Sequence, residues 1–230
     1  MKKNILIIGG SSGIGKTIVN NIKDEYNLYV ANRSKENSIP EDVKYIKFDA
    51  TKDNLETSLL PDVLHGLIYC PGSINLKPFK ILTTESFRED MEINFFSLVN
   101  VVKSVIPIMT DEASIVLFST VAVGTGMPFH SSIAAAKGAI EGFAKSIAAE
   151  YAPKIRVNVI APSLVDTPLS KRLLNNDKRR EAMANRHPLK RIGNTEDIAS
   201  MAHFLISDKS SWITGQTIGI DGGLSQINKG

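Results

Sequence analysis

Cysteine, net charge and long hydrophobic runs are all scarce in this chain. Its 230 residues include one cysteine, which excludes a disulfide framework and cannot build a metal cluster, so we expect no metal site. The net charge of +3 is too small to indicate a nucleic-acid-binding protein. No apolar run reaches the length of a membrane span, and the first three residues lead into a short apolar stretch rather than a signal peptide. These absences predict a cytoplasmic protein that binds neither nucleic acid nor membrane.

The composition that remains is that of an ordinary globular domain. Hydrophobic residues make up 43% of the chain and charged residues 22%, a balance typical of folded globular proteins. Strand-like runs occur at residues 5–8, 28–31, 43–49, 64–70, 114–120 and 155–160, and helical spacing marks residues 84–109 and the stretch from about 131 onward. Since there is no repeat or linker and the length suits one α/β domain, we predict a single domain over residues 1–230.

A glycine-rich turn near the N-terminus is the strongest motif. It follows the apolar run at residues 5–8, and the spacing of Ile14, Ile18 and Ile22 predicts a helix directly after it. A helix N-terminus offers unpaired backbone N–H groups and the positive end of a dipole, and glycines allow a pyrophosphate to come close. The turn therefore predicts a dinucleotide site whose phosphates would meet Gly9, Ser11, Ser12, Gly13, Ile14 and Gly15.

The second predicted strand ends in Asn32, Arg33 and Ser34, where a dinucleotide fold meets the adenosine ribose. An acidic side chain there would bind the free 2′-hydroxyl and favour NAD(H). A guanidinium beside an amide and a hydroxyl suits a 2′-phosphate instead. We therefore predict a preference for NADP(H), with NAD(H) as the alternative cofactor. A purely structural interpretation treats Arg33 as a solvated loop residue.

The spacing G-x-x-x-G-x-G, together with residues further along, resembles the classical short-chain dehydrogenase/reductase family. The resemblance extends from the first strand to the last few residues, where residues 214–223 resemble the family's final strand. It implies an α/β, doubly wound, Rossmann-type fold: a seven-stranded parallel sheet with helices on both faces and the ligand at the carboxyl ends of the strands. It also implies hydride transfer between nicotinamide and a small carbonyl or alcohol substrate, in a homodimer or homotetramer.

The resemblance implies further cofactor contacts. Asp49 would meet the adenine edge with Ala50 beside it, although Asp49 would equally cap a helix starting at Thr51. At residues 69–72 the family usually has Asn-Asn-Ala-Gly, and here only Gly72 matches. Cys70 in this stretch is interpreted as a small buried hydrophobe that lines the cofactor. After the sixth strand the implied carboxamide-binding residues are Pro162, Val165 and Thr167, with Ser163 in place of the family's glycine.

The chain departs from the family at the catalytic tyrosine. In the family a serine stands thirteen residues before that tyrosine and a lysine four residues after it, on the same helix face. Lys137 is present, so counting back places Ile133 at the tyrosine position and Thr120 at the serine position. Isoleucine neither donates nor accepts a proton. No tyrosine occurs between Tyr69 and Tyr151, so no shift of alignment supplies one.

Other side chains would then have to supply the chemistry. His130 lies three residues before Ile133, and an imidazole titrates in the right range for proton transfer; the alternative is a structural histidine in a loop. The resemblance implies that Asn94 holds a water for a proton relay, that Thr120 orients a carbonyl, and that Lys137 bonds the nicotinamide ribose. We therefore predict a non-standard proton donor, either His130 or a water held between Asn94 and Lys137.

Residues 168–190 would form the family's mobile flap over the substrate. Their many basic side chains favour either an anionic substrate or acyl carrier, or simply a solvated helix face. A second function also fits the sequence: a non-catalytic NADP(H)-binding sensor or regulatory subunit. This alternative follows from Ile133 and from the altered stretch at residues 69–72.

Overall fold

The computed structural model describes residues 2–34 and 39–227. Its centre is a seven-stranded parallel sheet in the order β3-β2-β1-β4-β5-β6-β7. The strands are β1 (Asn4–Ile8), β2 (Asn27–Asn32), β3 (Lys44–Lys47), β4 (Leu64–Tyr69), β5 (Met109–Phe118), β6 (Ile155–Pro162) and β7 (Thr217–Ile220). The predicted seven-stranded parallel sheet is therefore confirmed.

Seven α-helices connect the strands within the described residues. They are α1 (Gly13–Ile22), α2 (Thr84–Met91), α3 (Ser97–Val105), α4 (Ala122–Thr125), α5 (Ser131–Tyr151), α6 (Asp177–Arg186) and α7 (Thr195–Ile206). Helices α1 and α7 cover one face of the sheet, where Ile18 and Ile198 are buried. Helices α3 and α5 cover the other, where Leu98 and Ile140 are buried. Two apolar cores on opposite faces make this a doubly wound fold.

The order of the strands creates a switch point between β1 and β4. From β1 the chain moves outward to β2 and β3, and then returns to place β4 on the other side of β1. Ile8, the last residue of β1, pairs with Tyr69, the last residue of β4. Loops leaving these two strands diverge to opposite faces, and the crevice between them is where open α/β sheets bind ligands. The glycine turn and the stretch at residues 69–72 both border this crevice.

The long helix predicted over residues 84–109 is interrupted. Between α2 and α3 the backbone forms a π-helical turn, Glu92–Phe96, and α3 ends in a 3₁₀ turn, after which β5 begins at Met109. By length and composition the run Thr84–Ile108 could cross a membrane, which inspection of the sequence did not anticipate. Its buried residues include Leu98 and Val102, which pack in the core over the sheet, so its apolar character is that of a core helix.

Candidate active site

The glycine turn brings α1 unusually close to β1. A Cβ on Gly15 would lie 2.1 Å from the carbonyl oxygen of Gly9, so only glycine permits this approach. Gly9 and Gly13 have φ values of +81° and +52°, a region that glycine enters without strain. Ser12 is the N-cap of α1, and the first turn of this fully described helix carries no acidic side chain. The predicted phosphate-binding turn therefore has the backbone form that an anion site requires.

The position expected to meet the adenosine ribose holds an unsatisfied amide. Asn32 is only 6% exposed, and neither its Nδ2 nor its Oδ1 has a hydrogen-bond partner among the described residues. Buried polar side-chain atoms are nearly always paired in folded proteins, so such an orphan indicates an absent ligand or water. Arg33 follows at the exposed edge. This pair fits the adenosine end of a dinucleotide.

Asp49 lies near Arg33 at the adjoining strand end. Burial alone would raise the pKa of Asp49, but hydrogen bonds from the Thr51 hydroxyl and N–H, with the charges of Lys52 and Arg33, hold it below its usual value. The Thr51 hydroxyl donates to Asp49 at 2.8 Å. The expected helix from Thr51 does not form: residues 50–52 are a turn, so Asp49 caps a turn instead. Ala50 and Ser34 lie at the same edge.

The side chains of two predicted residues pack closely against Gly72. A Cβ at this position would lie 3.1 Å from Asn94 Oδ1 and 3.2 Å from Lys137 Nζ. Lys137 is 8% exposed, its ammonium donates to the carbonyl of Phe118 at 3.0 Å, and burial lowers its pKa to about 8. Burial raises the pKa of the neighbouring Cys70 thiol to about 12, which keeps it protonated. Cys70 is thus an inert wall of the site.

Asn94 is fully buried in the π-helical turn and is held at both ends. Its Nδ2 donates to the carbonyl of Asp90 at 2.8 Å and to Ser73 Oγ at 2.9 Å, and its Oδ1 accepts from the Ser73 N–H. The fully buried Asp90 accepts from Ser73 Oγ at 2.7 Å and from Asn75 Nδ2 at 2.8 Å. Sequence reasoning missed this cluster. Its signal was an aspartate one helical turn before Asn94.

A pocket of about 270 Å³ lies beside these residues. Nine of the predicted site residues line it: Ile14, Cys70, Gly72, Thr120, His130, Lys137, Pro162, Val165 and Thr167. The glycine turn adjoins it, because Gly13 lies against the Thr167 side chain. Asn32, Arg33, Ser34, Asp49 and Ala50 lie apart from the pocket lining, at the ends of β2 and β3. The predicted residues therefore fall into two groups, one that lines the pocket and one at the ends of β2 and β3.

The pocket wall has an apolar side chain at the position expected for the family's tyrosine. Ile133 lines the pocket one helical turn before Lys137 and is 4% exposed. Thr120 also lines it, and its Oγ1 accepts from the Ala122 N–H at 3.3 Å, which leaves its own proton free to be donated. His130 is the N-cap residue of α5, half-buried, and its Nδ1 lies 2.7 Å from the Pro128 carbonyl.

Two further polar residues in the pocket were not singled out from the sequence. His187 is 4% exposed, and its Nε2 lies 2.9 Å from Ser163 Oγ. Its Nδ1 lies 2.9 Å from the carbonyl of Met183. Ser163 was visible as a departure from the family's glycine, but His187 belongs to no motif. Most of the other residues on this side of the pocket are apolar and include Leu169, Leu173, Met183 and Leu224.

The flap contributes one short helix to the site. α6 has no buried residue along its described length, and its Arg180 pairs with Asp166 at 2.7 Å. This agrees with the interpretation of its basic residues as a solvated face. In α6 and the residue that follows it, the pocket is lined only by Met183, Arg186 and His187.

Comparison with known proteins places these features in a family. A family model described as enoyl-(acyl carrier protein) reductase matches residues 11–225. A 3-oxoacyl-[acyl-carrier-protein] reductase FabG of Thermotoga maritima is 40% identical over 143 residues, 61% of this chain and 57% of that protein, so the match spans little over half of that relative. The FabG of Buchnera aphidicola is 31% identical over 245 residues, covering 97% of both chains.

Solved structures agree with the sequence relatives. A short chain dehydrogenase family protein from Francisella tularensis superposes with a TM-score of 0.90 at 29% identity, covering 99% of this chain and 100% of the other. The structure of ElxO with NADP bound gives a TM-score of 0.85 at 26% identity, covering 97% and 99%.

Proposed function

Because the chain belongs to the short-chain dehydrogenase/reductase family of oxidoreductases, we propose that it transfers hydride between NADP(H) and a carbonyl or alcohol substrate, using a proton donor other than a tyrosine. One observation carries the proposal: the glycine turn, Thr120 and Lys137 share one pocket at the switch point of the sheet.

Each residue of this chain has a role in the proposal. A bound nicotinamide supplies or accepts the hydride. The Lys137 ammonium would hold the ribose hydroxyls, and Pro162, Val165 and Thr167 would hold the carboxamide. The Thr120 hydroxyl would donate to the substrate oxygen. Since the pocket wall is largely apolar, we expect a substrate with a hydrocarbon portion.

The preference for NADP(H) over NAD(H) rests on the ribose end. Arg33 supplies a cation beside the unsatisfied amide of Asn32, and the described part of this strand end offers no acidic side chain to bind a 2′-hydroxyl. A guanidinium pairs with a phosphate through two parallel hydrogen bonds. ElxO, a structural relative, has been solved with NADP.

The proton donor and the biological setting complete the proposal. From the sequence the donor is His130 or a water held between Asn94 and Lys137, and both places border the pocket. We place the protein in the cytoplasm as a homodimer or homotetramer, with a small-molecule substrate and with neither nucleic acid nor membrane as a partner.

A second function has its own supporting observation. Ile133 fills the donor position with a buried apolar side chain, so a non-catalytic NADP(H)-binding sensor or regulatory subunit is the alternative. The two functions share the cofactor site and differ in turnover.

One assay separates the two functions. The pure protein is mixed with NADPH, and the loss of NADPH absorbance is followed over a panel of aliphatic and aromatic ketones and 3-oxoacyl thioesters, with Ile133→Tyr measured in parallel. Turnover by the wild type supports the oxidoreductase. Tight NADPH binding without turnover, with activity gained in Ile133→Tyr, would instead support the sensor or regulatory subunit.

A further inference from the structure

Ser163 and His187 form a polar pair on a largely apolar wall of the pocket. Both line the pocket, and Ser163 Oγ lies 2.9 Å from His187 Nε2. Ser163 follows the last residue of β6, and His187 follows the last residue of α6. Their contact therefore joins the end of the sheet to the end of the flap, at the place where a substrate would lie.

The partners of His187 fix its neutral tautomer. A carbonyl oxygen only accepts hydrogen bonds, so the Nδ1 that lies 2.9 Å from the Met183 carbonyl must carry a proton. In the neutral ring Nε2 is then an acceptor, and the Ser163 hydroxyl donates to it. When the ring is protonated, Nε2–H donates to Ser163 Oγ instead, and the serine proton is released toward the pocket.

Ser163 lines the same pocket as Thr120, the residue expected to orient the substrate oxygen. The Val121 N–H donates to the Pro162 carbonyl at 3.1 Å. Thr120 directly precedes the donor of this bond and Ser163 directly follows its acceptor. The Thr120 and Ser163 hydroxyls thus stand on adjoining backbone segments of one pocket, and a substrate oxygen has two lone pairs with which to accept from both.

We propose that Ser163 and His187 deliver the proton in this enzyme, with Ser163 touching the substrate and His187 acting through it. The inference rests on the proposed oxidoreductase function. In carbonyl reduction the nicotinamide supplies a hydride to the carbonyl carbon, and the π electron pair moves to oxygen. That oxygen takes the Ser163 proton, Ser163 takes the Nε2 proton of the His187 imidazolium, and the ring regains a proton from solvent. In alcohol oxidation the proton moves in the opposite direction.

Charged side chains from more than one element lie near His187. Burial alone would raise the pKa of Asp221, in the turn after β7, but hydrogen bonds from Ser225 and Gly223 and the nearby His187 hold it below its usual value. An ionised Asp221 stabilises an imidazolium. From the flap, Arg186 borders the pocket and opposes that charge. Arg191 and Asp197, in the neighbouring cavity, neutralise each other at 2.6 Å.

The first test reads the ring itself, without turnover. The chain has four histidines, so imidazole ¹⁵N signals are assigned by single His→Gln variants. We expect the neutral His187 to carry its proton on Nδ1, and we expect the Nε2 resonance to shift in Ser163→Ala but not in Ser163→Thr, which keeps the hydroxyl. A proton found on Nε2 of the neutral ring would overturn the proposal.

The second test is kinetic. Removing a positioned general acid slows its step by about 100-fold or more, so we expect that loss of kcat for reduction in Ser163→Ala and in His187→Gln. The double variant should lose no more than either single one, because the two act as a unit. Ser163→Thr should recover most of the rate. His203→Gln, which removes a surface histidine paired with Glu25, is the matched control and should keep the wild-type rate.

The pH profile separates proton delivery from a structural role. If His187 delivers the proton through Ser163, the rate of carbonyl reduction should fall as pH rises, and the rate of alcohol oxidation should rise. His187→Gln should abolish this pH dependence in both directions of the reaction.

Three results would overturn the proposal. If the wild type turns over and both variants keep its kcat and its pH dependence, Ser163 and His187 are not the donors and the oxidoreductase function stands. A loss confined to His130→Ala would assign the proton to His130. Absence of wild-type turnover on every carbonyl tested would overturn this proposal and the oxidoreductase function together.

Discussion

Replacing Lys137 with methionine should stabilise the unliganded protein while weakening cofactor binding. Lys137 is 8% exposed, and burial lowers its pKa from 10.5 to about 8. The folded state thus binds this proton less tightly than the unfolded state does. Near pH 7 both states are charged, and a shift of this size destabilises the fold by about 3 kcal/mol. Methionine fills similar space without a charge.

The expected gain is smaller than that figure. The ammonium also donates to the Phe118 carbonyl at 3.0 Å, and losing this bond costs about 1 kcal/mol. We therefore expect the free energy of unfolding of Lys137→Met to exceed that of wild type by about 2 kcal/mol at pH 7.

The pH dependence of this difference in stability gives the sharper check. Between pH 8 and 10.5 the folded protein has lost this proton and the unfolded chain still binds it, so this group's destabilising contribution shrinks as pH rises. Wild type should gain about 2 kcal/mol relative to Lys137→Met between pH 7 and 9.5. Urea unfolding of both proteins at the two pH values measures it, with Lys145→Met, an exposed lysine on the same helix, as the control. A difference that stays constant with pH would refute the reasoning.

Three further substitutions test the remaining parts of the site. Gly15→Ala would put a Cβ 2.1 Å from the Gly9 carbonyl oxygen, so NADPH affinity by fluorescence titration should fall at least about tenfold and the melting temperature should drop; unchanged affinity would contradict the close-approach argument. Arg33→Asp should reverse the preference between NADPH and NADH by about 100-fold in the ratio of Kd values, and an unchanged ratio would assign the selectivity elsewhere. Asp90→Leu removes the acceptor of the Ser73 hydroxyl and of the Asn75 amide, and water can replace it at the exposed Asn75, so chemical denaturation should show a loss of about 1–2 kcal/mol; equal stability would mean that this cluster adds nothing.

The fold was predictable because its signals are local and repeated. Apolar runs such as residues 5–8 and 155–160 lie in strands β1 and β6, and the spacing of Ile14, Ile18 and Ile22 matches helix α1. Element ends were less predictable. β5 begins at Met109, five residues before the predicted run, because its first residues are only partly buried and lack the apolar signal of its second half.

The site residues also differ in this way: some follow local patterns and others depend on tertiary contacts. Residues expected to serve the cofactor stand at fixed distances from a strand end or a helix start, so Gly9 could be proposed from the local pattern, and Thr120 and Lys137 from the family resemblance. Asp90 and His187 could not, since each depends on a contact between segments distant along the chain. Asp90 meets Ser73 seventeen residues away, and His187 meets Ser163 twenty-four residues away. Such pairings follow from tertiary packing, which no local pattern encodes.

Polar and apolar side chains occupy different walls of this pocket. The helix face that carries Lys137 is apolar at Ile133, while hydroxyls stand at Ser73 and Ser163, on two other walls of the same pocket. Each hydroxyl bonds a buried titratable side chain, Asp90 in one case and His187 in the other. An apolar centre excludes water, which strengthens the hydrogen bonds made by the groups around it. An apolar residue at this place on α5 is therefore compatible with proton chemistry, because hydroxyls paired with titratable side chains stand on the pocket's other walls.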